Sequence, residues 1–238
     1  MAEPWFVEAF RTAYLDVYPH RDLESARAEA RYLVARGVRG RALDLCCGNG
    51  RHVQALRELG VEAFGIDLSR DLLDRARDVR QALACGDARA IPVAGARMDA
   101  VVSLFSSFGY FGEAGDQAVV AEIGRVLRPG GRFVLDLMNP ERIRATLVPA
   151  STASRGGVEI EERRSLAEGG RRVRKEIRLK GRDGAVRSWL EDVRLYDASE
   201  LEPWFRGAGL AFESVHGDFD GSELGRASPR QILVGSKR

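Results

Sequence analysis

The sequence predicts an α/β protein built on an open, mostly parallel sheet with helices on both faces. Three observations carry that reading. Short apolar runs alternate with amphipathic segments from residue 41 to residue 138, and parallel strands need such helical crossovers. The first run, A-L-D-L-C-C from Ala42, passes into the turn Gly48-Asn49-Gly50 and then the amphipathic stretch Val53 to Leu59. That is the profile of a buried strand, a tight loop and a helix. After Asn139 the rhythm changes to charged–apolar alternation with Gly-Gly and Asp-Gly turns, as in an antiparallel meander solvated on one face.

Each element follows from local pattern. Pro4 to Val17 and Leu23 to Arg36 read as amphipathic helices, with Trp5, Phe6, Phe10, Tyr14 and Leu15 recurring near helical spacing. They form an N-terminal cap over residues 1–40, either a cover for the core or a lid over a ligand. Tyr14, Tyr18, His20 and Arg21 cluster at the Pro-marked break between them. Arg41 to Cys46 is the first strand, Gly50 to Leu59 the first helix, and Gly60 its C-terminal cap. Val61 to Ile66 is the second strand, ending at Asp67. The helix after it opens with Ser69 as N-cap and Asp71 in its first turn.

Gln81 to Cys85 is strand three, closed by Gly86-Asp87-Ala88. Asp99 to Phe105 is strand four, running into the aromatic loop S-L-F-S-S-F-G-Y-F-G. Such a loop can hold a small substrate between rings; equally, its aromatics can be core. Asp116 to Leu127 is a helix, Arg128-Pro129-Gly130-Gly131 breaks it, and Arg132 to Met138 is strand five. Gly157 to Leu166, Arg171 to Lys180 and Val186 to Tyr196 make the meander. Ser199 to Gly207 is a helix with Ser199 as N-cap and Glu202 at its third position. Leu210 to His216 and Arg230 to Gly235 are the last strands. The organisation expected is therefore a cap at 1–40, a core at 41–149 and 198–238, and an inserted antiparallel sheet at 150–197.

Composition narrows the function classes. The chain has 238 residues, 45% hydrophobic and 30% charged, ordinary for a globular protein long enough to bury a full core. A formal net charge of +2 leaves no global footprint for nucleic acid. The Arg-dense meander is interspersed with Glu and reads as a solvated sheet face. Cys46, Cys47 and Cys85 read as small buried thiols. No C-x-x-C pair or His cluster suggests a metal. No basic segment followed by an apolar one opens the chain, and no apolar run nears the roughly 20 residues of a membrane span. A reduced, cytoplasmic protein is expected.

The Gly-x-Gly turn admits two readings. A dinucleotide fingerprint, G-x-G-x-x-G, wants a small third residue for close helix packing, and Val53 stands there. The alternative wants an acid four positions before the first glycine, and Asp44 stands there. Either way the loop is a cofactor floor at the carboxyl ends of the strands. A carboxylate at the tip of strand two, Asp67, can accept from two ribose hydroxyls. Asp87, at the end of strand three, can accept from an exocyclic amine or simply close a turn.

L-D-L-C-C-G-N-G-R-H, then G-I-D-L-S, then G-D-A-R, then the strand-four run, then V-L-R-P-G-G-R-F-V-L-D resembles the class I S-adenosylmethionine-dependent methyltransferases throughout residues 41 to 138. C-C-G-N-G-R-H, F-S-S-F-G-Y-F and the later G-D-F-D-G-S resemble a bacterial subgroup of small-molecule type. The resemblance implies a Rossmann-like seven-stranded sheet whose last strand is inserted antiparallel, with an antiparallel excursion after strand five covering the substrate side. It implies that Asp44, Gly48 and Gly50, in a loop shared with Cys46 and Asn49, hold the methionine end of S-adenosyl-L-methionine. By the same resemblance Asp67 takes the ribose, Leu68 lies beside the adenine, and Asp87 and Ala88 meet its edge; Leu72, one turn along from Leu68, is placed to border the base as well. Leu104 and Phe105 lie near the sulfonium, and Arg51 or Tyr14 reaches the carboxylate tail.

The reaction implied is in-line transfer of methyl from sulfur to N or O of a small-molecule acceptor, driven mostly by positioning and desolvation. Candidates for a general base are Tyr110, His216, Asp218 and Asp220; the last three follow a strand whose carboxyl end faces the cofactor. The Asn/Asp-Pro-Pro-aromatic signature, a Pro-Cys nucleophile and the acidic cluster of metal-dependent relatives are all absent. An RNA or protein methyltransferase, a nicotinamide-dependent oxidoreductase and a non-catalytic cofactor-binding protein remain as alternatives. Oligomeric state is not legible.

Overall fold

The computed structural model describes residues 4–11, 14–18 and 22–238; His20 and Arg21 lie outside these. Three helices come first: α1 (Trp5–Ala9), α2 (Tyr14–Val17) and α3 (Leu23–Ala35). The alternating core follows as β1 (Arg41–Leu45), α4 (Arg51–Glu58), β2 (Glu62–Asp67), α5 (Arg70–Leu73), β3 (Leu83–Cys85), β4 (Met98–Ser103), α6 (Gly112–Val126) and β5 (Leu127–Met138). Then come α7 (Pro140–Thr146) and the meander β6 (Ala150–Arg155), β7 (Val158–Ala167), β8 (Arg172–Lys180) and β9 (Val186–Arg194). The chain returns to the core through α8 (Ala198–Gly207), β10 (Leu210–His216) and β11 (Arg230–Lys237).

The main sheet has strand order β10-β11-β5-β4-β1-β2-β3. The pairings β1–β2, β1–β4, β2–β3 and β4–β5 are parallel, and β11 runs antiparallel between β5 and β10. Both faces are buried, which is why the strands read as apolar runs rather than alternations. Ala42, Ala100, Val102, Val134 and Ile232 face the core beneath α3 and α4. Leu43, Leu45, Val101, Phe133, Leu135 and Leu233 face the core beneath α6 and α8. Val53, the residue unsuited to a dinucleotide fingerprint, is fully buried in the first of these cores.

The second sheet, β6-β7-β8-β9, is wholly antiparallel. Its inward face carries Ile160, Ile177, Leu179 and Trp189, which pack with Ala9, Val17, Trp5 and Tyr18 of the N-terminal helices. Those helices also reach the main sheet's loops: the Phe6 and Phe111 rings meet edge to face at 5.0 Å, as do Trp5 and Tyr110. The N-terminal segment is thus wedged between the two sheets.

Several local expectations are corrected. The first helix of the cap is broken into α1 and α2. The helix that Ser69 opens, α5, is a single turn; the residues after it run in turns that bury Ala76 and Val79. α6 begins at Gly112, leaving Asp116 inside it and fully buried, where it accepts from Tyr196 Oη at 2.9 Å and Phe111 N at 3.2 Å. The capping box of α8 sits two residues earlier than Ser199: Asp197 is the N-cap, and its amide donates to Glu200 at 2.9 Å. Arg128 to Gly131 lies within β5 rather than before it. Cys85 is exposed on edge strand β3.

Gly235 in β11 illustrates how tightly the inserted strand is held. A Cβ there would run into Ala211 O and the Phe133 ring. Gly235→Ala is expected to lower stability by roughly 1–3 kcal/mol, as overpacking does, read as a lower urea midpoint at unchanged m-value; an unshifted midpoint would contradict the packing described.

Candidate active site

A cavity opens at the carboxyl ends of β1, β2 and β4, under the N-terminal helices. Of the residues expected to bind cofactor, Tyr14, Asp44, Cys46, Gly48, Asn49, Arg51, Asp67, Leu68, Ala88, Leu104 and Phe105 line it. Two do not. Gly50 lies behind the loop at the N-cap of α4 with φ 76°, and a Cβ there would meet Leu83 at 2.7 Å. Its task is close helix packing and a left-handed turn. Asp87 turns away and forks onto Arg89, with contacts down to 2.6 Å, so its neighbours Gly86 and Ala88 present the edge of β3.

Asp67 fixes the floor. At the tip of β2 its Oδ1 accepts from Ser69 N at 2.7 Å and its Oδ2 from Gly48 N at 2.8 Å. Burial pushes its carboxyl above the usual range, and those two amide bonds oppose the push. One carboxylate thereby joins the glycine turn to the start of α5. Each oxygen keeps a further lone pair, the capacity a vicinal diol needs. Ser69 Oγ donates in turn to Phe10 O at 2.5 Å, pinning the end of α1 over the cavity.

Asp44 is nearly sealed, and its Oδ2 has no hydrogen-bond partner among the described residues. Burial raises its carboxyl to about 8. Beside it His52 is equally buried, its Nε2 2.5 Å from Glu29 of α3, and burial lowers it to about 4. Arg51 spans the same corner, 3.4 Å from Glu29 and with its guanidinium 4.5 Å from the Phe105 ring centre. A buried acid without a donor is a demand for a cation or donor from a ligand. The amino-acid end of S-adenosylmethionine supplies one, and the glycine turn and the Asp67 lone pairs suit its ribose side.

Phe105 and Ser106 both adopt left-handed backbone, φ 59° and 56°. Asp136 of β5, fully buried, holds them: its Oδ2 accepts from Phe105 N at 2.7 Å and its main-chain oxygen from Ser106 N at 3.0 Å. Arg230 completes the clamp with contacts of 2.7 and 2.9 Å to the same carboxylate, its guanidinium 4.5 Å from the Phe105 ring. The ring is thus flanked by two guanidiniums.

A second cavity adjoins the first and shares Phe10, Tyr14, Phe105 and Tyr110 with it. The meander forms its far wall with Arg164, Lys175 and Glu191, and α7 contributes Arg142. Tyr18 Oη donates to Glu191 at 3.0 Å, Lys175 is 3.1 Å from the same carboxylate, and Tyr18 and Lys175 also touch. Sequence reasoning missed Lys175, Glu191 and Arg164 as site residues, although a signal existed. They stand at inward positions of their strands and in register across β7, β8 and β9, where a charge interrupts the apolar alternation.

Of the expected bases, Tyr110 lies on the wall common to both cavities, and Trp5 and Phe10 hold its ring at 5.0 and 5.6 Å. His216, Asp218 and Asp220 line neither cavity. His216 is buried between Tyr32 and Ser214, with Nε2 2.8 Å from Ser214 Oγ. Asp218 and Asp220 cap their own turn by accepting from Phe219 N and Ser222 N. Their loop reaches the cleft only at its end, through Pro229 and Arg230. Among the described residues no cluster of His, Cys, Asp and Glu could hold a metal, and no helix is long and apolar enough to cross a membrane.

Comparison with known proteins agrees with this geometry. The family profile described as a methyltransferase domain matches residues 42–131. The chain is 31% identical over 190 residues to a dTDP-3-amino-3,4,6-trideoxy-alpha-D-glucopyranose N,N-dimethyltransferase of Streptomyces venezuelae, covering 76% of this chain and 80% of that protein. A methyltransferase from Streptomyces caelestis superposes with a TM-score of 0.82 over 100% of this chain and 99% of its own; at 20% identity this speaks to the fold alone. An amino pentose methyltransferase from Micromonospora echinaspora, solved with S-adenosylmethionine bound, superposes with a TM-score of 0.70 at 26% identity, over 95% and 97% of the two chains. With a strand order, a buried acid before a glycine turn and a relative of this extent all in agreement, the chain belongs to the class I S-adenosylmethionine-dependent methyltransferases, and S-adenosylmethionine is its cofactor.

Proposed function

We propose that the enzyme methylates an amine nitrogen of a small molecule held in the second cavity. The observation that carries this is the pair of adjoining cavities with one shared aromatic wall, the outer one lined on its far side by the inserted sheet. Nitrogen is favoured because the Streptomyces relatives aligned over most of this chain are named as amino-sugar N,N-dimethyltransferases. Transfer to oxygen is the second reading.

When bound, the cofactor supplies an electrophilic methyl on a sulfonium leaving group. The chain's residues supply the rest. Asp44 and Arg51 face the amino-acid end, Asp67 accepts from the ribose, and Leu68, Leu72 and Ala88 flank the base. Leu104 and Phe105 sit toward the methyl-bearing end, and Phe10, Tyr14 and Tyr110 exclude water where the nucleophile approaches. An amine is protonated near neutral pH and must lose a proton before it attacks. Glu191, held by Tyr18 and Lys175 on the cavity wall, is placed to take it. The Arg142 guanidinium has no carboxylate partner among the described residues and faces the same cavity.

Incubation with S-adenosylmethionine and a panel of small amines, amino sugars and matched hydroxy compounds tests the reading by mass spectrometry. Gain of one or two methyl masses on amines supports it; transfer confined to hydroxy compounds, RNA or protein would overturn it. Asp67→Ala is expected to weaken cofactor binding by roughly 1–3 kcal/mol in a calorimetric titration, through lost charge-assisted hydrogen bonds. Unchanged affinity would remove Asp67 from the ribose. Glu191→Gln is expected to cut kcat/KM for the amine on the order of 100-fold while cofactor affinity holds; an unaltered rate would exclude Glu191 as the base.

A further inference from the structure

The corner behind Asp44 contains more protonation chemistry than cofactor binding alone requires. Glu29 of α3, His52 of α4 and Asp44 of β1 form a buried line. His52 Nε2 stands 2.5 Å from Glu29 Oε2, and His52 Nδ1 stands 3.9 Å from Asp44 Oδ2. At 2.5 Å an imidazole nitrogen and a carboxylate oxygen must share a proton. The other end of the line poses a separate problem. If Nδ1 and Oδ2 were both bare, two lone pairs would face each other in a sealed space, and Oδ2 has no other donor. A second proton in that gap removes the conflict whichever atom carries it.

We propose that Glu29, His52 and Asp44 form a buried triad that holds two protons when the cofactor site is empty and releases one when the ammonium end of S-adenosylmethionine is seated beside Asp44. This rests on the placement of the cofactor given above. The bond balance is simple: the ammonium's N–H groups take the place of the Asp44 proton, which leaves to solvent as the carboxylate forms its ion pair. The surroundings put the labile proton on Asp44. Burial raises that carboxyl to about 8 and lowers His52 to about 4. Burial also pushes Glu29 up, but the His52 hydrogen bond and the His52 and Arg51 charges outweigh it and hold Glu29 below its ordinary value.

The charged groups facing the triad are Arg51 from α4, Asp67 from β2, and Arg230 of β11 paired with Asp136 of β5, with Asp22 before α3 acting on Arg51. The Cys46 and Cys47 thiols adjoin Asp44 and are pushed up by burial, so they stay neutral. Below about 8 the empty site carries the Asp44 proton and the filled site does not. Cofactor affinity therefore rises with pH up to that point, by as much as tenfold per unit.

The test is calorimetry of the whole chain at about pH 6.5, where a free α-amino group is fully protonated, in several buffers of different ionisation enthalpy. S-adenosylmethionine should release about one proton per molecule bound. Methylthioadenosine keeps the ribose and adenine but lacks the amino-acid end, so it should bind with no release. Asp44→Asn should retain weaker binding and lose the release, and His52→Gln, which offers Asp44 an amide donor, should diminish it. Normal binding of S-adenosylmethionine with no proton exchanged would overturn the triad, as would equal release with methylthioadenosine, which would assign the proton to Asp67. Absence of binding would instead remove the cofactor placement on which the triad rests.

Discussion

The two-cavity arrangement depends on one buried carboxylate. Asp136 sits in the middle of the main sheet with no solvent contact and accepts from both the Arg230 guanidinium and the Phe105 amide. An isolated charge there would be prohibitively costly, and pairing with Arg230 is what makes it tolerable. In return the pair ties β5 to β11 and forces the β4–α6 turn into two consecutive left-handed residues, neither of them glycine. Such backbone costs about 1–3 kcal/mol per residue and persists only where surrounding contacts over-determine it. Those contacts put the Phe105 ring between Arg51 and Arg230, where it lines both cavities. Breaking the pair would cost roughly 3–5 kcal/mol and would release that ring as well as the sheet.

The parallel core was readable because each of its signals is local. A strand buried on both faces is an unbroken apolar run, its loop needs glycine, and the acid at its tip stands at fixed sequence distance. The region beyond Met138 was harder. β6 has the sequence A-S-T-A-S-R, with no apolar alternation to mark it, and it exists because β7 offers it an edge. α7 is short, yet Asn139 followed by Pro140 is a sound helix start, with the Asn139 side chain accepting from Glu141 N at 3.1 Å. Reading the change of rhythm as strands alone obscured it. The boundaries of α5 and α6 were set by burial of Ala76, Val79 and Asp116, a tertiary matter that propensity does not report.

At the site, the lining of the first cavity was legible and that of the second was not. His216, Asp218 and Asp220 were attractive because they follow a strand at the ligand edge, but β10 is the outermost strand and Tyr32 and Phe219 close over its end. Conversely, Lys175 and Glu191 looked like ordinary members of a charged sheet. Only their parity within the strand distinguishes them: Val173, Lys175, Ile177 and Leu179 share one face, as do Trp189, Glu191 and Val193. A charge on the apolar side of a two-residue repeat must be paired and is placed there for a reason.

The distribution of charge between the cavities follows from what a methyl transfer needs. On the proposed placement, the anionic groups Asp44 and Asp67 stand toward the amino-acid and ribose ends, while the common wall is aromatic. A carboxylate beside the sulfonium would stabilise the positive charge most before transfer begins, lowering the ground state and slowing the reaction. Ring faces attract a cation more weakly, by about 0.5–2 kcal/mol each, and Phe10, Tyr14, Phe105 and Tyr110 extend from one cavity into the other. They can therefore follow the charge as it passes to the acceptor. Glu191, the proposed base, lines only the second cavity, beyond the rings, where a carboxylate can take the amine's proton before attack without holding back the donor.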